Sequence, residues 1–315
     1  MLQRYAVTLA SLTFALLVLG GLVHNTRSSL ACPDWPLCYG QVMPKMEGEV
    51  LVEHSHRMVA TAIGLLTIGL AIALYRRRRN GRPGDSKLAW LGGAALATVV
   101  IQGVLGGITV LYRLPTWVST AHLGVSMIFF ALLIYLAVRL GRKEAALPPS
   151  VQRVAVAGAA VVYVQLLVGA VMRHAGAGLS CVDWPLCRGE VFPTGANAYL
   201  LLHMWHRILG VVVLGAVLAV VGVAWRASAG RPALRALLVG LPLLVAAQLA
   251  LGVLSITTFL GVIPVTAHLG VAALIFAGLV VVSCVAHGVG STLSDAALRE
   301  SRADLEQLDR GAMAA

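Results

Sequence analysis

The chain has 315 residues, of which 59% are hydrophobic and only 12% charged, and its mean hydropathy is +0.86. Soluble domains run near half apolar and a quarter charged, so these values exclude an ordinary soluble enzyme. The formal net charge of +11 would suit a nucleic-acid binder, but the basic residues gather in short loops and no basic stretch interleaves aromatics as a nucleic-acid groove does.

Apolar runs of about twenty residues, without the alternation of a barrel strand, predict membrane-spanning helices. They fall at 6–24, 51–75, 88–110, 117–139, 153–172, 201–225, 233–256 and 263–287. The first run follows a single Arg4 and lacks a small-x-small cleavage site, so it reads as a helix and not as a secretory signal. After the second run, RRRRNGRPGDSK at 76–87 carries six Lys/Arg against one Asp. Arg139, Arg142, Lys143 and Arg153 mark the next basic loop, and Arg226, Arg231 and Arg235 a third. Basic loops stay cytoplasmic, so eight crossings of a cell (plasma) membrane put both termini inside and the alternate loops outside. The tail from Ser291 onward is rich in both charges and reads as a solvated cytoplasmic segment.

The chain also repeats itself. CPDWPLC at 32 returns as CVDWPLC at 181, SHRMVATAIG at 55 parallels WHRILGVVVL at 205, QGVLGGITV at 102 parallels QLALGVLSI at 248, and STAHLGV at 119 parallels VTAHLGV at 265. The offsets are 149, 150, 146 and 146 residues. An even number of crossings per repeat predicts an all-α protein of two tandem four-helix bundles, related by a pseudo-two-fold along the membrane normal. The units are 1–147 and 148–290, with a cytoplasmic tail at 291–315.

His56, His122, His206 and His268 each lie about five residues inside the outer end of an even-numbered span, a shared depth of roughly 7–8 Å. Two imidazoles from different helices, level with each other, can fill both axial positions of a heme. A lone histidine in a membrane is more often a helix-packing partner. Four at matched depth in a repeated pattern reverse that order, because polar groups in a bilayer are costly. A zinc site needs three or four ligands converging, whereas the repeat spreads these as two pairs.

Arg57 and Arg207 follow two of these histidines at the interface, where a guanidinium can pair with a heme propionate or simply snorkel. Gly103, Gly106, Gly107, Gly124 and Gly252 allow close approach of backbones or of a flat ring. Glu53 lies one turn before His56 on nearly the same face, and its counterpart in the repeat is His203. It is either a rim carboxylate able to move protons or an exposed residue ahead of the helix. The cysteine loops can close as disulfides; C-x2-C metal spacing is absent. For Cys181–Cys187 the reading is structural, while for Cys32–Cys38 a redox role near Glu53 stays open. His54 is expected to face away from His56, and His24, His174 and His287 to sit solvated at helix ends. His203 is placed at the second pocket and Cys284 in the apolar interior.

Together the E-x-x-H-R at Glu53–Arg57, the AHLG elements at 121 and 267 and the two C-x-D-W-P-x-C loops resemble the heme A synthase family, over roughly 6–287. The resemblance implies an oxidoreductase that converts the C8 methyl of heme O to the formyl of heme A, the cofactor of heme-copper terminal oxidases. It implies that His56 and His122 ligate the substrate porphyrin beside catalytic Glu53, and that His206 and His268 hold a heme b (iron) cofactor. The cysteine pairs are those of the cysteine-containing members, in which the second pair can form a disulfide. Implied partners are heme O synthase, a heme-copper oxidase or its assembly factors, membrane lipid and a quinone as electron acceptor; oligomeric state, a homo-oligomer included, is left open. Successive hydroxylations to a geminal diol that loses water would deliver the aldehyde. The competing readings are a bis-histidine diheme cytochrome with no chemistry on the porphyrin, and a membrane thiol-disulfide oxidoreductase built on the loops.

Overall fold

The computed structural model describes residues 1–79, 84–141 and 146–288; the middle of the first basic loop, Arg142 and Lys143, and the charged tail lie outside the described residues. Among the described residues there are eight long helices: α1 Leu2–Asn25, α2 Gly48–Arg78, α3 Asp85–Leu111, α4 Thr116–Arg139, α5 Pro149–His174, α6 Ala198–Trp225, α7 Pro232–Thr257 and α8 Val262–Ala286. All eight are long and apolar enough to cross a membrane, and the chain is an all-helical, multi-pass membrane protein. Their outward-facing residues, such as Leu65, Ile72, Val211 and Leu243, are exposed hydrophobics suited to lipid.

The spans read from hydropathy coincide with these helices, apart from His287 one residue past α8, and most helices begin up to four residues earlier than expected, α2 at Gly48 and α6 at Ala198 among them. A helix of 31 residues is about 46 Å long and must project beyond a hydrocarbon core of about 30 Å. Its first turn is polar, and hydropathy therefore hides it. At α6 the start is fixed by Asn197, whose side chain accepts the Leu200 N–H at 3.0 Å; such a cap is worth about 1 kcal/mol.

Within the first four helices α1 packs on α2 and α4, and α3 packs on α2 and α4; α5 to α8 repeat that ring. The two rings meet through α1 on α8, α4 on α5 and α4 on α8. Exchanging each helix for the one four later maps these pairs onto one another. Close approach between the rings uses small residues: Gly124 of α4 lies against Tyr163 and Leu167 of α5, and Gly270 of α8 against Val18 of α1. Leu133, Leu136, Leu279 and Val282, all fully buried, form the centre of the core. The turns repeat as well. Arg113 and Leu114 between α3 and α4, and Phe259 and Leu260 between α7 and α8, all have positive φ.

Candidate functional site

Each of the four histidines that share a depth in the sequence meets a glycine on the preceding helix. A Cβ built on Gly20 of α1 would come within 3.1 Å of Cε1 of His56, and one on Gly106 of α3 within 3.3 Å of Cε1 of His122. The same holds for Gly169 of α5 beneath His206, at 2.9 Å, and Gly252 of α7 beneath His268, at 3.3 Å. A methyl group at Gly169 would force the His206 ring to shift, and at the other three the ring would have to give by a few tenths of an ångström, so in each case glycine forms a shelf beneath the ring. Gly20 and Gly169 were not singled out from the sequence. Their separation of 149 residues, an offset of the repeat, was the available signal.

In the C-terminal half the rings of His206 and His268 lie 6.2 Å apart between centroids, tilted by 57°. Two metal–nitrogen bonds of about 2 Å each, with the ring radii added, span a similar distance between centroids. Nδ1 of His268 is 3.1 Å from the carbonyl of Gln248; donating there, it leaves the Nε2 lone pair for a metal. His206 is held from its backbone, whose carbonyl accepts from Gln165 Nε2 at 2.8 Å. In the N-terminal half His56 and His122 lie within electrostatic reach of each other. The carbonyl of Gln102 neighbours His122 without completing a bond to its buried Nδ1. Below it, Gln102 Nε2 bonds Ser126 Oγ, which in turn donates to the His122 carbonyl at 2.8 Å. Buried Nδ1 atoms without hydrogen-bond partners on His56, His122 and His206, seated rings and neutral nitrogen donors suit a planar iron porphyrin held from both sides.

The rims of the two halves differ. Glu53 lies inside α2 and is 3% exposed, not at an exposed helix start. Its Oε2 accepts the Cys32 N–H at 2.8 Å and its Oε1 pairs with Arg57 at 2.6 Å. Arg57 also donates to the carbonyls of Asp34, Leu37 and Cys32, at 2.7, 2.6 and 3.0 Å. Arg207 does the same to the carbonyls of Asp183, Pro185, Leu186 and Cys181, at 2.7 to 3.3 Å, with no ion pair to a carboxylate among the described residues. Both guanidiniums thus fasten the cysteine loops over the bundle. At position 203 the imidazole is 3% exposed, with Nδ1 3.1 Å from the carbonyl of Ala177.

Both loops are closed by disulfides, Cys32–Cys38 and Cys181–Cys187. The N–H groups of Tyr39 and Gly40 bond the Asp34 carboxylate at 2.6 and 2.8 Å. The bond from Gly40 above all, then that from Tyr39 and the charge of Arg57, hold the Asp34 carboxyl below the ordinary carboxylate range. Trp35 lies across α3, where a Cβ on Gly107 would come within 2.7 Å of its ring. In the repeat that glycine is Val253, and Trp184 is 64% exposed against 41% for Trp35.

His54 does turn from His56, as expected, but into the loop: it is buried, and its ring nitrogen and the two sulfurs of Cys32 and Cys38 lie within 4.8 Å of one another. Its counterpart, Met204, packs with Cys181 and Cys187. His24 and His174 are not solvated helix ends; they are half-buried, edge to face, with centroids 4.6 Å apart. Beside them Arg173 donates to Asn25 Oδ1 and Asn25 Nδ2 to Thr266 Oγ1, a polar patch where α1 and α8 meet. His287 is exposed and bonds Gln152, and Cys284 is buried and unpaired.

The chain matches the family model COX15-CtaA, cytochrome oxidase assembly protein, over residues 3–51 and 45–280. It is 36% identical to the heme A synthase of Symbiobacterium thermophilum over 235 residues, covering 69% of this chain and 72% of that protein. It is 30% identical to the heme A synthase of Geobacillus kaustophilus over 318 residues, covering 98% and 94%. To that of Alkalihalophilus pseudofirmus it is 32% identical, covering 68% and 73%.

Proposed function

Because the chain belongs to the COX15-CtaA family, to which its heme A synthase relatives also point, we propose that it is a membrane oxidoreductase converting heme O to heme A. The substrate sits between His56 and His122, and a b-type heme between His206 and His268. The observation that carries this reading is the seating of four imidazoles on four glycines, with the rings of one pair 6.2 Å apart between centroids, room for an iron between them.

With water as the source of oxygen, turning a methyl into a formyl group (R–CH3 + H2O → R–CHO) releases four electrons and four protons. The two halves divide that work. When bound, the b heme supplies a one-electron store close to the substrate, from which a quinone can draw. In the N-terminal half the histidine pair fixes the porphyrin edge-on, and Glu53 stands one turn from His56, at the rim. Its carboxylate, paired with Arg57 at 2.6 Å, can stabilise positive charge developing at the reacting carbon and accept a proton from it. Trp35 and the fastened disulfide loop cover this rim and exclude water from it.

The two bundles, 1–147 and 148–290, are related by a pseudo-two-fold along the membrane normal, a reading supported by the exchangeable helix contacts. The basic loops put both termini in the cytoplasm and the heme sites toward the outer face of the plasma membrane. Heme O synthase supplies the substrate and a heme-copper oxidase or its assembly factors take the product.

Co-expression with heme O synthase, purification and heme extraction test this directly. Heme A in the extract, with heme b retained, is the expected result. Heme b alone, with no heme A, would make the protein a diheme cytochrome.

A further inference from the structure

The Cys32–Cys38 loop holds more than a staple. Cys32, Cys38 and His54 are all buried, and their donor atoms lie within 4.8 Å of one another. His54 is 4% exposed, and its Nε2 is 3.0 Å from the carbonyl of Val42. Nε2 therefore carries the proton and donates it to that carbonyl. Nδ1 is left with its lone pair, buried and without a hydrogen-bond partner among the described residues. An imidazole oriented by a carbonyl on one nitrogen and free on the other is the usual preparation of a metal ligand. The C-terminal loop keeps the disulfide but has the thioether of Met204 in the place of His54, and Met is not among the usual ligands of zinc, which are Cys, His and carboxylates. The imidazole is thus peculiar to the loop that Glu53 and Arg57 anchor.

We propose that the Cys32–Cys38 pair, once reduced, forms with His54 a zinc site. An external dithiol breaks the S–S bond, becoming a disulfide itself while its two electrons and two protons pass to Cys32 and Cys38. Zinc then binds as both thiols release their protons. Two thiolates and a neutral imidazole cancel the charge of Zn²⁺, so beside the already neutral Glu53–Arg57 pair no net charge is buried. A singly charged copper ion on the same ligands would leave one negative charge uncompensated. Three protein ligands leave the fourth tetrahedral position open to an outside ligand. The site is independent of heme ligation.

The full-length protein in detergent is reduced with a phosphine, desalted under argon and titrated with Zn²⁺ against a chromophoric chelator. One more equivalent should bind after reduction than before it. Cys32→Ser should abolish it, His54→Ala should weaken it at least about tenfold, and Cys181→Ser/Cys187→Ser should leave it unchanged. Zinc taken up by the four intramembrane imidazoles would not depend on reduction. Cobalt substitution of the unmutated, reduced protein should give an intense sulfur-to-cobalt charge-transfer band, which needs no variant to fold. Absence of that band, no added uptake on reduction, or added uptake indifferent to His54→Ala would overturn the site.

Discussion

The N- and C-terminal halves share a way of holding histidines and differ in almost everything within one turn of them. Both seat two imidazoles on glycines and fasten a disulfide loop with an arginine. Only the first half has a carboxylate at the rim, an imidazole against the loop sulfurs and a tryptophan lying on a glycine of α3. The difference teaches that grip and reactivity are separable here. The glycine shelf is common to both halves, and the rim is where they are told apart.

The largest effect expected from breaking this comparison is at the grip itself. His206→Ala should remove most of the retained heme b, measured by pyridine hemochrome per protein, whereas His54→Ala should leave it. Equal losses would refute the ligand assignment in that half. Next, Glu53→Gln should cut heme A formation by about 10²–10⁴-fold while the heme b spectrum persists, and His203→Gln should change the rate far less. Undiminished heme A from Glu53→Gln would take that carboxylate out of the chemistry.

Arg57 and Arg207 sharpen the same contrast in stability. Arg57→Ala strands the buried Glu53 carboxylate, an effect of about 3–5 kcal/mol where a buried pair is broken. Arg207→Ala removes only bonds to carbonyls and should cost less. Thermal unfolding followed by loss of heme absorbance would order them. The glycine shelves come after: Gly169→Ala meets His206 at 2.9 Å and Gly252→Ala meets His268 at 3.3 Å. Overpacking of about 1–3 kcal/mol should shift the heme spectrum away from its low-spin form, more for Gly169→Ala. A spectrum unchanged in both would mean that the rings are positioned by something else.

The smallest effect belongs to Asp34, whose carboxyl the loop N–H groups hold below its ordinary value. A depressed folded value gives a contribution that is present above the unfolded pKa of about 3.9 and lost as pH falls through the lower folded value. Protease resistance of the first loop should therefore stay level from neutrality down to about pH 4, then decline. Asp34→Asn should show no such decline.

Much of this was legible in the chain. Apolar length located all eight spans, and the tandem offsets located the four histidines, because hydropathy and repetition are properties of neighbouring residues. Contacts between distant residues were not legible. His24 meets His174 across 150 positions, and His54 meets two sulfurs through a folded loop that no spacing rule describes. Glu53 was recognised by its place before His56, yet its burial was hidden because the first turn of α2 is polar and lies above the apolar run. Arg57 and Arg207 were singled out beside their histidines, but a sequence cannot tell a guanidinium that awaits an anion from one already occupied by carbonyls.

The glycine beneath each imidazole also bears on how one gene could yield two unlike compartments. Seat and occupant belong to adjacent helices of the same repeat, so they were copied as one inherited part and stayed compatible without further adjustment. Mutation could then work on positions 53 and 54 and their twins at 203 and 204 without loosening the clasp. On that history, two unlike rims arose side by side by altering the furniture around two like sockets.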